Sequence, residues 1–405
     1  MNYTDTLNYI HSLGNFGLPS GLDRIKTVLE KLGNPQNKLK AIHIAGTNGK
    51  GSVSAMLSSV FKTAGYKTGL FISPYIIDFR ERIQINGEYI SENDLCIYAE
   101  RVRNTGVQLI EFEFVTAVAF LYFAEKNIDI LICETGLGGR LDATNTLDNL
   151  ICAIITKIGL DHTAILGNTI EIITEEKCGI LRNSPVVTAP NQMKEALNVI
   201  KSHAKNLVQP DMKDCEMLKS DITGNTFIYK GEKFKTGLSG EYQIENAVTV
   251  IEAVRQSGYN IPYDTLYKGI KNTFFPARLE TVSQNPLIVI DGAHNPDGAE
   301  ALSRELEKSG GEITAIIGMM KDKNYKEVLS LTLPFCKNSV AVAVENLPRS
   351  LSAQELKNVA EEFCTTITAE NYRQAIEKAK ELSDSKPIFI FGSLYLAADM
   401  RKILK

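Results

Sequence analysis

The chain has 405 residues, which is long for a single hydrophobic core and favours two domains. It carries 44 Lys and Arg against 48 Asp and Glu, and this net charge of −4 excludes a general electrostatic attraction to nucleic acid or to an anionic membrane surface. Seven scattered cysteines indicate reduced thiols, and because neither a signal sequence nor a bilayer-spanning apolar stretch is visible, we expect a cytoplasmic enzyme.

A glycine-rich turn follows the first apolar strand, after about forty residues predicted to be helical with a loop at residues 14–21. The strand leads into Gly46-Thr47-Asn48-Gly49-Lys50-Gly51-Ser52, and a helix follows directly. Glycines let backbone N–H groups approach an anion, the helix N-terminus adds partial positive charge, and Lys50 adds a full charge. Ser52 could reach a Mg²⁺ ion that bridges the phosphates. The spacing departs from the common P-loop, but the combination predicts a nucleotide-binding loop.

Further strands end in polar residues. The strand at 70–72 ends at Ser73, the strand at 128–133 stops at Glu134, and the strand at 151–156 leads to His162. A hairpin is predicted at 83–90 and an amphipathic helix at 112–123. Because parallel strands present ligands at their carboxyl ends, we expect Ser52, Glu134 and His162 to offer oxygen and nitrogen ligands to one or two divalent ions.

The last third of the chain restarts the alternation of strands and helices. A hairpin at 226–235 and a helix that opens near Asn246 precede a turn-rich segment, and strands are predicted at 287–290, 313–317, 340–344 and 388–391. We therefore predict an α/β fold, with a P-loop ATPase domain built on a mainly parallel central sheet (1–283) and a smaller Rossmann-like α/β C-terminal domain (284–405).

Several motifs occur together in the order known from one family. They are Gly46–Ser52, Glu134-x-Gly-Leu-Gly-Gly-Arg140-x-Asp142-Ala143-Thr144-Asn145, Gly159-Leu160-Asp161-His162-Thr163, Glu176-Lys177-x-Gly179-Ile180, Pro276-x-Arg278-Leu279-Glu280, Asp291-Gly-Ala-His294-Asn295-Pro296 and Gly392-Ser393-Leu394-Tyr395. With these motifs the chain resembles the folylpolyglutamate synthases and bifunctional dihydrofolate synthases of the Mur ligase superfamily, which form amides with ATP.

The resemblance implies roles for individual residues. Ser52, Ser73, Glu134 and His162 would hold Mg²⁺, while Asn246, Arg278 and Asp291 would join the phosphate loop in binding ATP. Lys50, Lys177 and His162 would be catalytic, with Lys177 carbamylated. The pterin would contact Gly21, Leu22, Asp23 and Arg24, residues 110–113 including Phe112 and Glu113, and Leu141, Asp142 and Ala143. Glutamate would bind near His294 and Ser393.

The implied reaction joins L-glutamate to dihydropteroate, to the glutamyl tail of a reduced folate, or to both, through an acyl phosphate. The resemblance also implies a monomer and leaves open a role for a monovalent cation. Four residues depart from the family pattern: Tyr75 and Tyr242 replace histidines, Ala277 a glycine, and Glu111 an aromatic residue. Two alternatives are a Mur-type ligase that adds an amino acid to a cell-wall nucleotide precursor, and a P-loop ATPase switch without ligase activity.

Overall fold

The structure is a computed structural model that describes residues 1–14, 21–345 and 347–405. The chain forms two compact units. Unit 1 comprises Met1–Glu216, Phe227–Thr236 and Ile244–Phe274, and unit 2 comprises Met217–Thr226, Gly237–Gln243 and Phe275–Lys405. The last segment of unit 2 begins before the predicted boundary at 284. The functions expected of the two domains stay predictions.

Helices and strands alternate along most of the chain. The α-helices are α1 (Tyr3–Ser12), α2 (Asp23–Lys31), α3 (Lys50–Thr63), α4 (Glu92–Arg103), α5 (Glu111–Glu125), α6 (Thr163–Leu166), α7 (Ile170–Cys178), α8 (Lys194–His203), α9 (Tyr242–Gln256), α10 (Tyr263–Lys271), α11 (Pro296–Lys308), α12 (Tyr325–Thr332), α13 (Ala353–Ala360), α14 (Tyr372–Ser383) and α15 (Leu394–Leu404). The strands are β1 (Ala41–Ala45), β2 (Thr68–Phe71), β3 (Ile83–Ile85), β4 (Glu88–Tyr89), β5 (Ile130–Glu134), β6 (Leu150–Ile155), β7 (Val186–Thr188), β8 (Leu207–Val208), β9 (Cys215–Asp221), β10 (Gly224–Tyr229), β11 (Glu232–Lys235), β12 (Glu280–Gln284), β13 (Leu287–Ile290), β14 (Ile313–Ile317), β15 (Cys336–Val342), β16 (Thr365–Ala369) and β17 (Ile388–Phe391).

The large sheet of unit 1 has the order β4-β3-β2-β5-β1-β6-β7-β8. The strands from β2 to β8 in this order pair in parallel, whereas β3 and β4 are antiparallel. Asn86 and Gly87 both have positive φ, as the predicted Asn-Gly turn between β3 and β4 requires. The sheet confirms the mainly parallel centre that the strand pattern predicts.

Helix α5 differs from its prediction as an amphipathic helix. Every residue from Phe114 to Ala124 is buried, and this stretch contains no charged residue. The helix packs against α1, α2 and α4 in the core of unit 1. It is therefore a core helix with charged residues only at its ends, and the amphipathic description of it was wrong.

Unit 2 contains a sheet of order β12-β13-β17-β14-β15-β16. Its strands pair in parallel except β12, which is antiparallel to β13. The four predicted strands are β13, β14, β15 and β17. The sequence pattern missed β12 and β16 because each is rich in polar residues, as edge strands often are. The α/β fold class of both units is confirmed.

A separate three-stranded sheet has the order β11-β10-β9, and its β10–β11 hairpin was predicted. All seven cysteines are free thiols, and Cys133, Cys152, Cys178 and Cys336 are buried. Among the residues described, no helix has both the length and the apolar character needed to cross a membrane.

Candidate active site

The predicted metal ligands follow four neighbouring strands of the large sheet. Ser52 lies in the helix after β1, Ser73 follows β2, Glu134 is the last residue of β5, and His162 follows β6. The order β2-β5-β1-β6 aligns these strand ends along one edge, with about 4.8 Å between neighbouring strands. One contact joins two of the residues directly, because the Ser73 backbone N–H donates to Glu134 Oε2 at 3.3 Å.

Three of the four side chains offer oxygen ligands, which Mg²⁺ prefers while it keeps several waters of its own, and His162 offers a nitrogen. Within the described ranges, no group of three or more His, Cys, Asp and Glu side chains could hold a metal ion. The predicted set is of another kind, since two of its four members are serines. Any ion bound there would depend on ATP phosphates for part of its coordination.

The phosphate loop turns through two glycines at which a side chain has no room. Gly46 has φ 151°, and a Cβ atom there would lie 1.9 Å from Thr156 Oγ1. Gly49 has φ 89°, and a Cβ atom there would lie 2.5 Å from Asn246 Oδ1. Helix α3 begins at the next residue, Lys50. Asn246, a predicted nucleotide contact, thus lies against the loop.

Hydrogen bonds attach this loop to the segment after β6. The backbone N–H groups of Thr47 and Asn48 donate to the Lys157 carbonyl at 2.9 and 3.1 Å. The Thr47 hydroxyl donates to the Gly159 carbonyl at 3.0 Å and accepts from the Gly159 N–H at 3.1 Å. Gly51 lies in the first turn of α3. These hydrogen bonds hold the loop against the segment after β6.

Two lysines donate to the same carbonyl of the phosphate loop. Lys177 Nζ lies 2.8 Å from the Gly46 oxygen, and Lys50 Nζ lies 3.1 Å from it. Lys177 is 4% exposed. Its burial, and secondly the positive charge of Lys50, lower the pKa of Lys177 to about 7, although Asp161 and Asp142 oppose the shift. Much of Lys177 is therefore a neutral amine near pH 7, the form that is nucleophilic.

Close backbone contacts between the loop after β5 and α7 place Lys177. A Cβ atom at Gly139 would lie 2.8 Å from the carbonyl oxygens of Glu176 and Lys177. A Cβ atom at Gly179 would lie 2.4 Å from Arg140 Cα. The Arg140 N–H donates to the Glu176 carbonyl at 2.8 Å. Both glycines are thus required so that the end of α7 can approach the loop.

One pocket brings the three predicted catalytic residues together. Its lining includes Lys50 and Lys177, and the turn after β6 contributes Asp161 and His162. His162 has φ 50° immediately before α6, and 48% of its side chain is exposed. The hydroxyl of Thr135, another lining residue, is buried and has no hydrogen-bond partner within the described part of the chain. The predicted catalytic groups therefore share a polar pocket beside the phosphate loop.

Two of the predicted pterin contacts pair with each other. Arg24 donates from Nε to Glu113 Oε2 at 3.0 Å and from Nη2 to Glu113 Oε1 at 2.7 Å. This bidentate pair joins α2 to the start of α5. Phe112 packs on the loop after β5, since a Cβ atom at Gly136 would lie 2.5 Å from its ring. Arg24 and Glu113 thus position the helices that carry the predicted contacts.

Asp142 is held in one orientation. Its Oδ2 accepts from the Leu137 N–H at 2.8 Å, and its Oδ1 accepts from the N–H and hydroxyl of Thr144 at 3.0 and 2.5 Å. Burial raises the pKa of this carboxyl group. Its neighbours differ, because Leu141 is half exposed and Ala143 is buried. The three residues form a loop with one fixed carboxylate.

The remaining predicted pterin contacts precede or open α2. Gly21 has φ 152°, Leu22 is partly buried, and Asp23 is the exposed first residue of α2. Residues 15–20 of the predicted loop at 14–21 lie outside the described residues.

In unit 2, the turn after β13 supports the loop of Arg278. The Asp291 carboxylate accepts from the N–H groups of Leu279 and Ala293 at 2.9 and 2.8 Å, and burial raises its pKa. Ala277, which stands where the family has glycine, has φ 54°. This left-handed conformation is the reason that glycine suits the position.

The predicted glutamate contacts lie after neighbouring strands of unit 2. His294 Nδ1 donates to the Gly292 carbonyl at 2.8 Å, and Ser393 caps α15 by accepting from the Tyr395 N–H at 3.1 Å. The Gly392 N–H donates to the Ala293 carbonyl at 2.9 Å, which joins the two turns. Both predicted contacts thus belong to one connected region of the unit.

Sequence patterns did not identify two residues that organise the site. Gln192 donates to the Thr156 carbonyl at 2.7 Å and accepts from the Ile158 N–H at 3.1 Å, so it holds the segment after β6. His43 is fully buried and contacts the Thr144 hydroxyl. Thr144 belongs to a recognised motif, but nothing in the sequence pairs it with His43.

Comparisons with known proteins agree with this architecture. The model of the Mur ligase middle domain matches residues 44–254, and that of the Mur ligase glutamate ligase domain matches residues 277–394. The dihydrofolate synthase/folylpolyglutamate synthase of Bacillus subtilis is 37% identical over 100% of this chain and 99% of its own length. The folylpolyglutamate synthase of Lacticaseibacillus casei is 32% identical over 100% of this chain and 99% of its own.

Solved structures show the same likeness. Mycobacterium tuberculosis folylpolyglutamate synthase complexed with ADP superposes with a TM-score of 0.91 at 28% identity, covering 99% of this chain and 98% of its own. E. coli FolC in complex with DHPP and ADP gives a TM-score of 0.89 at 28% identity, covering 100% and 98%. Because relatives match along the whole length and both family models match, the chain belongs to the Mur ligase family of ATP-dependent ligases, among the folylpolyglutamate and dihydrofolate synthases.

Proposed function

We propose that this enzyme adds L-glutamate both to dihydropteroate and to the glutamyl tail of reduced folates, releasing ADP and phosphate. The observation that carries the proposal is the pocket in which Lys50 and Lys177 meet the Gly46 carbonyl. The names of two relatives support the two acceptors. The Bacillus subtilis protein is named for both activities, and the E. coli structure is a complex with DHPP and ADP.

The chemistry explains why a phosphate loop serves an amide ligase. A carboxylate is a poor electrophile, so an acceptor carboxylate oxygen attacks the γ-phosphorus of ATP and ADP leaves, which forms an acyl phosphate. The glutamate amine then attacks the acyl carbon and phosphate leaves with its electron pair. Lys50 and the loop N–H groups stabilise the negative charge during phosphoryl transfer.

Ser52, Ser73, Glu134 and His162 would hold Mg²⁺ at the strand ends. The ion would supply neutralisation of phosphate charge. The residues themselves contribute through position, since Glu134 is oriented by the Ser73 N–H.

Lys177 is proposed to react with CO₂ as a neutral amine and form a carbamate. The nitrogen attacks the carbon of CO₂ and loses a proton, which replaces a cationic side chain by an anionic one. The lowered pKa of Lys177 supports this step, because most lysines near pH 7 are protonated. The Lys177→Ala variant should lose nearly all turnover. A short carboxylate such as acetate should restore part of its activity.

The acceptor pterin is proposed to contact residues 21–24, Phe112 and the loop 141–143 of unit 1. Glutamate is proposed to contact His294 and Ser393 of unit 2. A neutral glutamate amine must be held close to the acyl phosphate, because orientation supplies much of the rate of such a step.

Glutamate-dependent ADP release tests the proposal. The purified enzyme is supplied with Mg²⁺, ATP and L-glutamate, and with either dihydropteroate or a reduced monoglutamyl folate. Release with both acceptors is expected. Release with only one acceptor would contradict the proposed activity on the other. Release with neither acceptor would favour a Mur-type ligase for another acceptor. ATP hydrolysis without consumption of glutamate would instead favour a P-loop switch.

A pair of lysine variants in one helix provides the control. Lys50 begins α3, and Lys62 lies exposed in its last turn. Lys50→Met should reduce turnover by at least about a hundredfold, in line with the loss of a group that stabilises transition-state charge. Lys62→Met should keep activity within about twofold. Equal losses in the two variants would contradict the role of Lys50.

A further inference from the structure

A buried hydrogen-bonded chain runs from β1 to the loop after β5. His43 Nε2 lies 2.8 Å from Thr144 Oγ1, and Thr144 Oγ1 lies 2.5 Å from Asp142 Oδ1. His43 and Thr144 have no exposed surface, and Asp142 is 5% exposed. Of the three residues, only Asp142 is a predicted substrate contact. The other two have no role in the reaction proposed above.

The hydrogen bonds that link His43, Thr144 and Asp142 have one consistent donor-to-acceptor direction. The Thr144 hydroxyl has a single hydrogen, and Asp142 Oδ1 is its acceptor. His43 Nε2 must therefore donate to Thr144 Oγ1, which defines the Nε2–H tautomer. His43 Nδ1 is then an unprotonated acceptor, and it is buried with no hydrogen-bond partner among the residues that the structure describes. Burial lowers the pKa of His43 to about 3, so the ring is neutral at physiological pH.

These hydrogen bonds limit what the Asp142 carboxylate can still accept. A carboxylate accepts about four hydrogen bonds, two on each oxygen. Oδ1 accepts from the Thr144 hydroxyl and N–H, and Oδ2 accepts from the Leu137 N–H. The Gly136 backbone also hydrogen-bonds to the carboxylate and favours its ionised form. Asp142 is therefore fixed by the loop after β5 and by Thr144, and it fixes that loop in turn.

We infer that His43 and Thr144 are positioning residues that fix the Asp142 carboxylate, and with it the loop at residues 136–143 on which the acceptor pterin is proposed to bind. The inference rests on the proposed function, because it takes the acceptor to bind at Asp142. Thr144 acts by its hydroxyl, and His43 acts by holding that hydroxyl toward Asp142. Neither residue would touch ATP or glutamate.

Two substitutions of Thr144 separate orientation from packing. Thr144→Val keeps the volume and removes the hydroxyl, whereas Thr144→Ser keeps the hydroxyl. We expect Thr144→Val to raise the KM for dihydropteroate about tenfold or more, with the KM values for ATP and glutamate unchanged. Thr144→Ser should stay within about twofold of the wild-type KM. A tenfold change corresponds to about 1.4 kcal/mol of binding, the scale of one hydrogen bond to a charged group.

A spectroscopic measurement tests the chain independently of turnover. Nitrogen-15 NMR of histidine-labelled wild-type enzyme should show a neutral His43 with a protonated Nε2 from pH 8 down to pH 5. The resonance is assigned by its loss in His43→Gln. A protonated Nδ1, or a cationic ring at pH 6, would overturn the hydrogen-bond direction and with it the inference.

The kinetic outcomes are equally decisive. An unchanged dihydropteroate KM in Thr144→Val overturns the positioning role. A parallel rise in the KM for ATP also overturns it, because general loosening of the site would then explain the effect. If the wild-type enzyme shows no dihydropteroate-dependent ADP release, the proposed function itself fails and the acceptor role of the chain fails with it. The NMR result would still decide whether the hydrogen-bonded chain exists.

Discussion

Replacement of Lys177 by methionine should stabilise the free enzyme while it abolishes turnover. The structure buries the ammonium group and lowers its pKa from 10.5 to about 7. Between these two values the unfolded chain binds more protons than the folded one, so the lysine destabilises the fold. The loss of folding stability caused by Lys177 is complete below pH 7 and disappears as the pH rises through 10.5. Methionine fills a similar volume and has no charge to bury.

The size of the effect follows from the two pKa values. A shift of about 3.5 units is worth about 5 kcal/mol in full, of which about 4 kcal/mol applies at pH 7 and about 2 kcal/mol at pH 9. Methionine loses the hydrogen bond from Nζ to the Gly46 carbonyl, which offsets about 1 kcal/mol. The free energy of unfolding of Lys177→Met should therefore exceed that of the wild type by about 3 kcal/mol at pH 7 and by about 1 kcal/mol at pH 9.

Urea unfolding of nucleotide-free enzyme in CO₂-free buffer measures this difference at both pH values. Removal of CO₂ keeps Lys177 as the free amine in the wild type. The exposed residue Lys26 supplies the control, because Lys26→Met should change the free energy of unfolding by less than about 0.5 kcal/mol. A variant no more stable than wild type at pH 7, or a gain that does not shrink at pH 9, would refute the electrostatic argument.

Three further substitutions test other contacts. Arg24→Ala should lower the free energy of unfolding by about 3 kcal/mol or more, because it leaves the buried Glu113 carboxylate without its bidentate partner. In a thermal unfolding assay, the double variant with Glu113→Gln should recover part of this loss. Gly179→Ala should cost about 1–3 kcal/mol and lower turnover, since its methyl group would meet Arg140 Cα; normal stability would contradict the packing of α7. Ser393→Ala should raise the KM for glutamate with the KM for ATP unchanged, and a parallel loss of ATP affinity would count against that assignment.

Periodicity and turn chemistry identified most of the elements around the site. The Gly46–Ser52 turn, the Asn-Gly hairpin and the predicted strands of both sheets depend on neighbours close in sequence, and local patterns record such neighbours. The description of α5 as amphipathic was wrong because burial on all sides depends on what surrounds a helix. The edge strands β12 and β16 were missed because polar strands resemble loops in sequence.

The candidate site shows the same division. Glu134, His162 and Lys177 were selected by their motifs, and the resemblance assigned each one a role. The assignment of Arg24 and Glu113 as pterin contacts stays a prediction, and the sequence did not reveal that the two form a bidentate pair across 89 positions. Such pairing depends on the approach of α2 to α5, which no local pattern encodes.

By itself, the sequence determined the α/β class, the phosphate loop and the polar residues at which successive strands end. Each of these follows from residues a few positions apart. Only the tertiary structure decided that Lys177 lies 2.8 Å from the Gly46 carbonyl and that its pKa falls to about 7. The same holds for the hydrogen bonds from His43 through Thr144 to Asp142, because His43 lies 101 positions before Thr144. Burial and hydrogen-bond direction are properties of the packed neighbours, and these are set when distant segments meet.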